Sequence, residues 1–236
     1  MKLVIDQGNT STKIAVFKEN KILEKFNFSR NDSHLAQDKI NNLLNDIEDI
    51  IVANVTHHKF NFGDKNHINF TNQTKVPILN DYKSPETLGA DRLANAVGGY
   101  SLNPKGKNLV IDIGTCVKYD IVIEGKYIGG NISPGVAMRY KGLNDFTDQL
   151  PLLDAEDFTY GYGINTKTSL LNGVQHGLYH EINGFIERYS NQYKGLTIFM
   201  TGGDSKFFDK EYKNPIFANS NLTLIGLNEI LKHNAE

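Results

Sequence analysis

The sequence Val4-Ile5-Asp6-Gln7-Gly8-Asn9-Thr10 decides the fold, because a close copy of it, Val110-Ile111-Asp112-Ile113-Gly114-Thr115-Cys116, occurs in the second half of the chain. In each copy a short apolar run leads into an Asp-x-Gly turn, and a second strand, another turn and a third strand follow. This order is typical of an antiparallel meander with a glycine in its first turn. Because the turn chemistry and the strand spacing both match, the pattern indicates an internal duplication.

Helical patterns follow the strands in each half of the chain. Apolar periodicity predicts a helix that begins near residue 33 and others over 90–100, 166–189 and 222–232, and apolar runs predict further strands at 50–55, 68–70 and 196–200. Strands that precede helices favour an α/β fold made of two domains, each with a mixed sheet. The polar stretch 103–107, which contains proline and glycine, puts the predicted boundary between a domain of residues 1–105 and a domain of residues 106–236.

The composition of this 236-residue chain excludes several classes of protein. Its 25 Lys and Arg against 27 Asp and Glu give a net charge of −2, which offers no basic surface for nucleic acid or an anionic membrane. No apolar run approaches the roughly 20 residues of a membrane-spanning helix. Residues 1–6 lead directly into a predicted strand rather than into a charged segment followed by an apolar one, so we expect no secretion leader. The single cysteine, Cys116, rules out an intramolecular disulfide and a multi-cysteine zinc site. We therefore expect a cytoplasmic protein with neither nucleic acid nor a membrane as partner.

The two Asp-x-Gly turns predict an anion-binding site. A glycine directly after a strand lets backbone N–H groups approach a phosphate closely. Asp6 and Asp112 could hold a cation there, directly or through water, and Lys13 lies where it can reach a phosphate. A third glycine loop, Thr201-Gly202-Gly203, follows another predicted strand, as the nucleoside end of a nucleotide site requires. The alternative for a single copy is a simple hairpin whose Asp caps its own turn.

The tetrad Gly89-Ala90-Asp91-Arg92 is a second candidate site, at the start of a predicted helix in a chain where arginine is scarce. A carboxylate here can serve as a general base, and a guanidinium can orient an acidic or hydroxylated substrate. The alternative is structural, because an acidic residue complements the dipole at a helix start and an arginine makes surface ion pairs.

Taken together, these motifs resemble those of the type III pantothenate kinases. They run in order along nearly the whole chain, with a gap only in the polar stretch 56–75: Asp6-x-Gly8-Asn9-Thr10-x-x-Lys13, Tyr82 with Pro85, Gly89-x-Asp91-Arg92, Asp112-x-Gly114-Thr115, Ser133-Pro134-Gly135, Gly163-x-Asn165-Thr166 and Thr201-Gly202-Gly203-Asp204. Asp-x-Gly-Thr turns occur throughout the acetate/sugar kinase–Hsp70–actin superfamily. The opening motif combined with Gly-x-Asp-Arg is more specific to this family.

The resemblance implies a duplicated ribonuclease-H-like (actin-like ATPase) fold with an interdomain nucleotide cleft, usually in a homodimer. It implies ATP-dependent phosphorylation of pantothenate on its 4′-hydroxyl, which is the first step of coenzyme A biosynthesis. Pantothenate and ATP are then the expected partners. The expected cofactors are ATP with Mg²⁺ and a monovalent cation, K⁺ or NH₄⁺.

Carried over residue by residue, the resemblance gives each motif a role. Asp91 is the catalytic base, and Asp112 is the ligand of the monovalent cation. The implied ATP-binding residues are Asp6, Gln7, Gly8, Asn9, Thr10, Ser11, Thr12, Lys13 and Thr115. The implied pantothenate-binding residues are Tyr82, Gly89, Ala90, Asp91, Arg92 and Thr166. The chain departs from the family at Cys116 and Lys118, where small or hydroxyl-bearing residues are more frequent, and Lys118 brings a positive charge near the expected cation.

Two other functions remain open on the sequence alone. A nucleotide-binding regulatory protein of the same family would keep the glycine turns without catalysis. A kinase for another hydroxylated small molecule, such as a sugar, would differ only in the shape of its pocket. The intact pair of Asp91 and Arg92 argues against the regulatory protein, because a protein that only binds nucleotide has no use for a base there.

Overall fold

In the computed structural model, which describes residues 1–156, 161–208 and 214–235, the chain divides into two units. The first unit comprises Met1–Pro104, Gly125–Tyr127 and Asn221–Glu236, and the second comprises Lys105–Glu124 and Ile128–Ser220. The predicted α/β class with mixed sheets is confirmed by the elements described below. None of the helices in the described ranges is long and apolar enough to cross a membrane.

The first unit is built on a five-stranded mixed sheet. Its strands are β1 (Lys2–Gln7), β2 (Ser11–Lys18), β3 (Lys21–Ser29), β4 (Asp49–Asn54) and β5 (Ile68–Phe70), in the spatial order β3-β2-β1-β4-β5. Strand β1 is antiparallel to β2 and parallel to β4. Helix α1 (Ser33–Leu43) buries Ala36 and Ile40 in a core with Leu3, Ile5 and Val16 of the sheet. The weak strand predicted at 68–70 is confirmed.

Two further helices, α2 (Ala90–Leu102) and α6 (Leu222–Ala235), pack closely within the first unit. A Cβ at Gly226 would collide with the carbonyl oxygen of Ala94, so glycine permits this approach of the two backbones. Thr223 Oγ1 donates a buried 2.7 Å hydrogen bond to Asn95 Oδ1. The terminal helix therefore lies in the first unit, whereas the predicted domain boundary placed all of residues 106–236 in the second domain. The cause is this packing of α6 against α2.

A short pair of parallel strands also belongs to the first unit. Strand β6 (Leu79–Asn80) pairs in parallel with Lys126 and Tyr127. The backbone N–H of Asp81 continues the pairing with a 3.0 Å hydrogen bond to the carbonyl oxygen of Tyr127. The pairing fixes the chain just before Tyr82.

The second unit repeats the meander of the first. Strands β7 (Lys107–Ile113), β8 (Cys116–Ile123) and β9 (Lys126–Pro134) continue with β10 (Leu196–Thr201) and β11 (Ile216–Ala218), in the order β11-β10-β7-β8-β9. Strand β7 is antiparallel to β8 and parallel to β10, as β1 is to β2 and β4. Strands β2 and β8 also have the same burial pattern over their first seven residues, in which four consecutive buried residues follow a short alternation. These likenesses match the duplication that the sequence indicates.

Helices of the second unit include one that the sequence did not predict. Helix α3 (Val136–Asp145) buries only Val136 and Tyr140, so its apolar periodicity is weak. The helix predicted over 166–189 is interrupted: α4 (Thr166–Leu171) and α5 (Gly177–Gln192) are joined by a π-helical turn at Asn172–His176. A π-helix is rare and occurs mostly as a single turn inside an α-helix.

Candidate active site

The first glycine turn joins β1 to β2. The backbone N–H of Gly8 donates a 2.9 Å hydrogen bond to the carbonyl oxygen of Ser11, which closes the turn, and the side chains of Asn9 and Thr10 are exposed. Asp6 and Lys13 are directly opposite one another in the strand register. The turn thus brings a carboxylate residue, a lysine and exposed polar groups together at one edge of the sheet.

Two of the predicted ATP-binding residues point inward from this turn. Gln7 is 4% exposed and Thr12 is 3% exposed, and both line a cavity of about 200 Å³ together with Gly8, Arg30 and His57. The side-chain oxygen Oε1 of Gln7 is buried without a hydrogen-bond partner in the structure. The side chains of Gln7 and Thr12 are therefore buried beneath the turn, whereas those of Asn9 and Thr10 are exposed to solvent.

The second glycine turn lies in the second unit, where three motifs of the sequence converge. Gly114 donates its backbone N–H to Cys116 at 3.1 Å, and Gly135 donates to the carbonyl oxygen of Thr115 at 3.1 Å. Gly202 has a φ of +99°, and a Cβ there would lie 2.6 Å from Asp112 Oδ1 and collide with the backbone of Ile113. Only glycine combines this backbone conformation with so close an approach. The Ser-Pro-Gly motif therefore contacts the Asp-x-Gly-Thr turn, and the Thr-Gly-Gly-Asp motif lies against Asp112 itself.

Asp112 is in contact with a lysine. Lys118 lies directly opposite it across β7 and β8, and Lys118 Nζ is 2.8 Å from Asp112 Oδ2. The two side chains are 17% and 15% exposed. Burial raises the pKa of the nearby Asp204 carboxyl; Lys206 opposes the rise, and the negative charge of Asp112 adds to it. Asp112 and Asp204 together make this part of the second unit attractive to cations.

The tetrad at the start of α2 holds a carboxylate residue and an arginine that are neighbours in the chain. Gly89 is the N-cap, and Asp91 Oδ1 accepts a 2.9 Å hydrogen bond from the backbone N–H of Arg92. A Cβ at Gly89 would lie 2.7 Å from that same carboxylate oxygen. Asp91 is half-buried in the first turn of a 13-residue helix, where the dipole favours a negative charge.

Arg92 is buried between aromatic rings of the first unit. It is 4% exposed, and its guanidinium carbon lies 5.7 Å from the ring centroid of Tyr82 and 6.0 Å from that of Tyr127. The two tyrosine rings are 5.9 Å apart. The structure thus brings together Tyr82, Asp91 and Arg92 of the predicted pantothenate-binding set. It adds Tyr127, which reaches Arg92 through pairing with β6 and which the sequence analysis missed.

Thr166, the last residue of that predicted set, belongs to the second unit. It is the first residue of α4, and Asn165 caps the helix by accepting a 2.9 Å hydrogen bond from the Thr168 backbone N–H. Thr166 is exposed and lines a cavity of about 900 Å³ with Pro134, Met138 and Arg139.

The sequence analysis also missed a polar cluster on α5 of the second unit. Glu181 Oε1 accepts hydrogen bonds from Tyr119 at 2.9 Å and Ser133 at 2.5 Å, and Glu181 Oε2 pairs with Arg139 at 2.6 Å. Burial alone would raise the pKa of Glu181, but the hydrogen bonds from Ser133, Arg139 and Tyr119 lower it below its ordinary value. The cluster links β8, the Ser-Pro-Gly segment and α3. Of the residues in this cluster, the sequence analysis singled out Ser133 alone, as part of the Ser-Pro-Gly motif.

No group of three His, Cys, Asp or Glu side chains in the described ranges is arranged to hold a metal ion. Mg²⁺ in phosphoryl-transfer sites needs fewer protein ligands, because it binds one or two carboxylates together with substrate phosphates and water. The carboxylate of Asp6 at the first glycine turn suits that requirement, whereas the carboxylate of Asp112 is already paired with Lys118.

Comparison with known proteins identifies relatives along the full chain. Residues 2–188 match the family model of type III pantothenate kinases. A type III pantothenate kinase of Phocaeicola vulgatus is 41% identical over 239 residues, which cover 99% of this chain and 99% of the relative.

Solved structures share the fold. One from Campylobacter jejuni, described as a Baf family transcriptional activator, has a TM-score of 0.61 and 22% identity, with 99% of this chain and 98% of that chain covered. One from Listeria monocytogenes, described as an N-acetylmannosamine kinase, has a TM-score of 0.57 and 11% identity, with 100% and 99% covered. Likeness at such identities shows the fold alone, which is the duplicated ribonuclease-H-like architecture of actin-like ATPases and sugar kinases.

Proposed function

Because this chain belongs to the type III pantothenate kinase family and so phosphorylates pantothenate with ATP in coenzyme A biosynthesis, we propose that Asp91 is the general base of the reaction. The observation that carries the proposal is the start of α2. There the Asp91 carboxylate accepts a 2.9 Å hydrogen bond from the Arg92 backbone N–H, and the Arg92 guanidinium is buried against two tyrosines. A surface ion pair would need neither the fixed carboxylate nor the buried arginine.

The chemistry assigned to Asp91 is proton acceptance. The 4′-hydroxyl oxygen of pantothenate forms a bond to the γ-phosphorus of ATP while the bond from that phosphorus to the β,γ-bridging oxygen breaks. The hydroxyl proton passes to the Asp91 carboxylate, and ADP is the leaving group. The transition state is loose, so positioning of the hydroxyl and neutralisation of charge contribute more than covalent chemistry does.

We assign the ATP phosphates to the two glycine turns. Asn9, Thr10 and Ser11 offer backbone N–H groups and polar side chains at the first turn, and Lys13 offers a positive charge opposite Asp6. Thr115 does the same at the second turn, where it is exposed beside Asp112. Asp6 is the carboxylate we assign to the Mg²⁺ that accompanies ATP, directly or through water, because carboxylate and water oxygens are the ligands Mg²⁺ prefers.

We assign the recognition of pantothenate to Arg92 and its surroundings. Pantothenate carries a carboxylate, and a guanidinium offers a planar set of donors that matches a carboxylate. Tyr82 and Tyr127 flank Arg92 and hold its orientation. Thr166, which is exposed at a cavity of about 900 Å³ in the second unit, is the remaining residue that we assign to pantothenate.

We also propose that the protein acts as a homodimer in the cytoplasm, where ATP is supplied. Support for the dimer comes from exposed apolar side chains of the second unit: Phe146 is 90% exposed, Tyr162 is 88% exposed and Ile164 is 83% exposed. Single exposed apolar residues are ordinary, but a group of large ones favours a protein partner, and of these three Tyr162 and Ile164 lie close together in the sequence. If a second copy covers them, Phe146→Asp should convert a dimer to a monomer in analytical ultracentrifugation.

The test of the proposed function is ADP release by the purified protein with a panel of acceptors. We expect release that depends on pantothenate and is absent with sugars. Release with a sugar instead would favour the other kinase, and ATP binding without release for any acceptor would favour the regulatory protein. The monovalent cation that the family resemblance implies at Asp112 would meet Lys118, which is already in contact with that residue.

A further inference from the structure

A monovalent cation beside Asp112 would have to share its position with an ammonium group of the chain. Lys118 Nζ lies 2.8 Å from Asp112 Oδ2, which is the distance of a charge-assisted hydrogen bond. The other oxygen of that carboxylate, Oδ1, lies against the backbone of Gly202. A second cation at Oδ2 would stand next to the first and be repelled by it. The residues present therefore do not fit a separate K⁺ or NH₄⁺ at Asp112.

The pairing of β7 with β8 determines the position of Lys118 opposite Asp112. Asp112 and Lys118 are paired in the register of β7 and β8, just as Asp6 and Lys13 are paired in the register of β1 and β2. Both units therefore place a lysine opposite the aspartate that precedes the glycine turn. Lys118 and Asp112 are also 17% and 15% exposed, so solvent screens the pair little.

The local negative charge also stabilises the Lys118 ammonium at this position. Asp204, whose loop packs on the end of β7 through a 3.0 Å hydrogen bond from its backbone N–H to Ile113, adds a second carboxylate close to Asp112. A position near two carboxylates and the phosphates assigned to this turn needs a positive charge. Lys118 supplies one that cannot diffuse away.

We propose that the Lys118 ammonium takes the place of the monovalent cation at Asp112, so that this kinase works equally well without K⁺ or NH₄⁺. The inference rests on the proposed function, because it assigns the ATP phosphates to the turn that contains Asp112. It makes Lys118 a residue of the nucleotide site that neutralises charge there.

The first experiment measures the rate of the unaltered protein with MgATP and pantothenate in tetramethylammonium chloride, NaCl, KCl or NH₄Cl. Tetramethylammonium is too large to bind where K⁺ does. We expect rates that agree within about twofold, because the ionic strength and its screening are the same in every salt. Activation by K⁺ or NH₄⁺ beyond that margin overturns the inference.

The second experiment removes the ammonium. In Lys118→Thr we expect kcat/KM for ATP to fall in tetramethylammonium chloride by roughly 10²-fold, the usual cost of one lost electrostatic contact to a reacting group. KCl or NH₄Cl should then restore much of the loss. Lys194→Thr, which alters an exposed lysine of the same unit, is the matched control and should behave as the unaltered protein in every salt. A loss that no cation restores overturns the inference.

A third measurement needs no turnover and covers the case in which Lys118→Thr folds poorly. Equilibrium dialysis with Tl⁺, a K⁺ analogue, in the presence of MgADP should show no saturable binding to the unaltered protein. Saturable Tl⁺ binding to that protein overturns the inference. Failure of the proposed function looks different, because ADP release would then be absent in every salt while the Tl⁺ result would still report on the position beside Asp112.

Discussion

The guanidinium carbon of Arg92 lies 5.7 Å from the ring centroid of Tyr82. A planar, delocalised cation over an aromatic face is stabilised by the ring quadrupole, and burial strengthens the effect. Because Arg92 is 4% exposed and stands one residue after Asp91, this contact fixes the start of α2 as well as the cation. The contact therefore links the residue proposed to recognise pantothenate to the placement of the proposed base.

Replacing Arg92 with lysine tests this assignment. Arg92→Lys keeps the charge but loses the planar donors and the stacking, so we expect KM for pantothenate to rise roughly tenfold or more, as for a lost hydrogen bond to a charged group. KM for ATP should change little. Arg188→Lys, at an exposed position of α5, is the control. An unchanged KM for pantothenate in steady-state assays would remove Arg92 from the acceptor site.

Asp91→Asn tests the general base. The substitution keeps the size and one acceptor but removes the proton-accepting carboxylate, so kcat should fall by roughly 10²–10⁴-fold. ATP binding, measured by calorimetry, should persist. Asp38→Asn, which changes an exposed helical carboxylate of the first unit, should keep its kcat. If Asp91 only makes a surface ion pair, the variant loses at most about 1 kcal/mol of stability and turns over normally.

Lys13→Ala tests the first phosphate turn. Loss of a positive charge at the phosphates should lower kcat/KM for ATP by roughly 10²-fold, while the melting temperature changes little because Lys13 is not in the core. Lys18→Ala changes the exposed lysine at the end of the same strand and serves as the control. Lys13 has no place in the phosphate site if both kcat and KM for ATP stay at their original values.

Glu181→Gln tests the polar cluster and carries a pH dependence. The folded protein holds the pKa of Glu181 below its ordinary value, so the ionised carboxylate adds stability above about pH 4.3, the ordinary glutamate pKa. That stability is lost as the pH falls through the lowered pKa. We expect the variant to be less stable by about 1.5–3 kcal/mol at pH 7, for lost hydrogen bonds to a charged group.

The comparison is made by urea denaturation at several pH values. The difference between Glu181→Gln and the unaltered protein should shrink as the pH is lowered from neutral toward 3. Glu187→Gln, at an exposed position on the same helix, should match the unaltered protein throughout. A difference that is constant with pH would show that the carboxylate's charge is not what stabilises the cluster.

Local patterns in the sequence were enough to predict much of this fold. The two meanders, the start of α2 and the strand at 68–70 carry short-range signals, namely alternation, turn glycines and helical periodicity. Helix α3 was missed because only Val136 and Tyr140 face the core. Strand β6 was missed because two residues give no pattern, and its partner lies far away in sequence.

The candidate site was predictable where one motif holds the functional residues together. Asp91 and Arg92 are neighbours in the chain, and Asp112 is identified in the sequence by the glycine turn that follows it. Tyr127 reaches Arg92 only through the pairing with β6, which no local pattern encodes. The pairing of Lys118 with Asp112 could not be predicted from the sequence repeat, because the second turn is shorter than the first. A direct overlay of the two copies aligns Lys13 with Tyr119 instead of Lys118.

The place of α6 has a consequence for how the protein is made. Residues 105–220 supply the second unit almost entirely, so that unit can fold while the ribosome is still adding the rest of the chain. The first unit begins at Met1 but lacks its α6 until Asn221 and the residues after it have left the exit tunnel. Until then the face of α2 around Ala94 and Gly98 has no helix to cover it. The half of the protein that is synthesised first is therefore the half that is completed last.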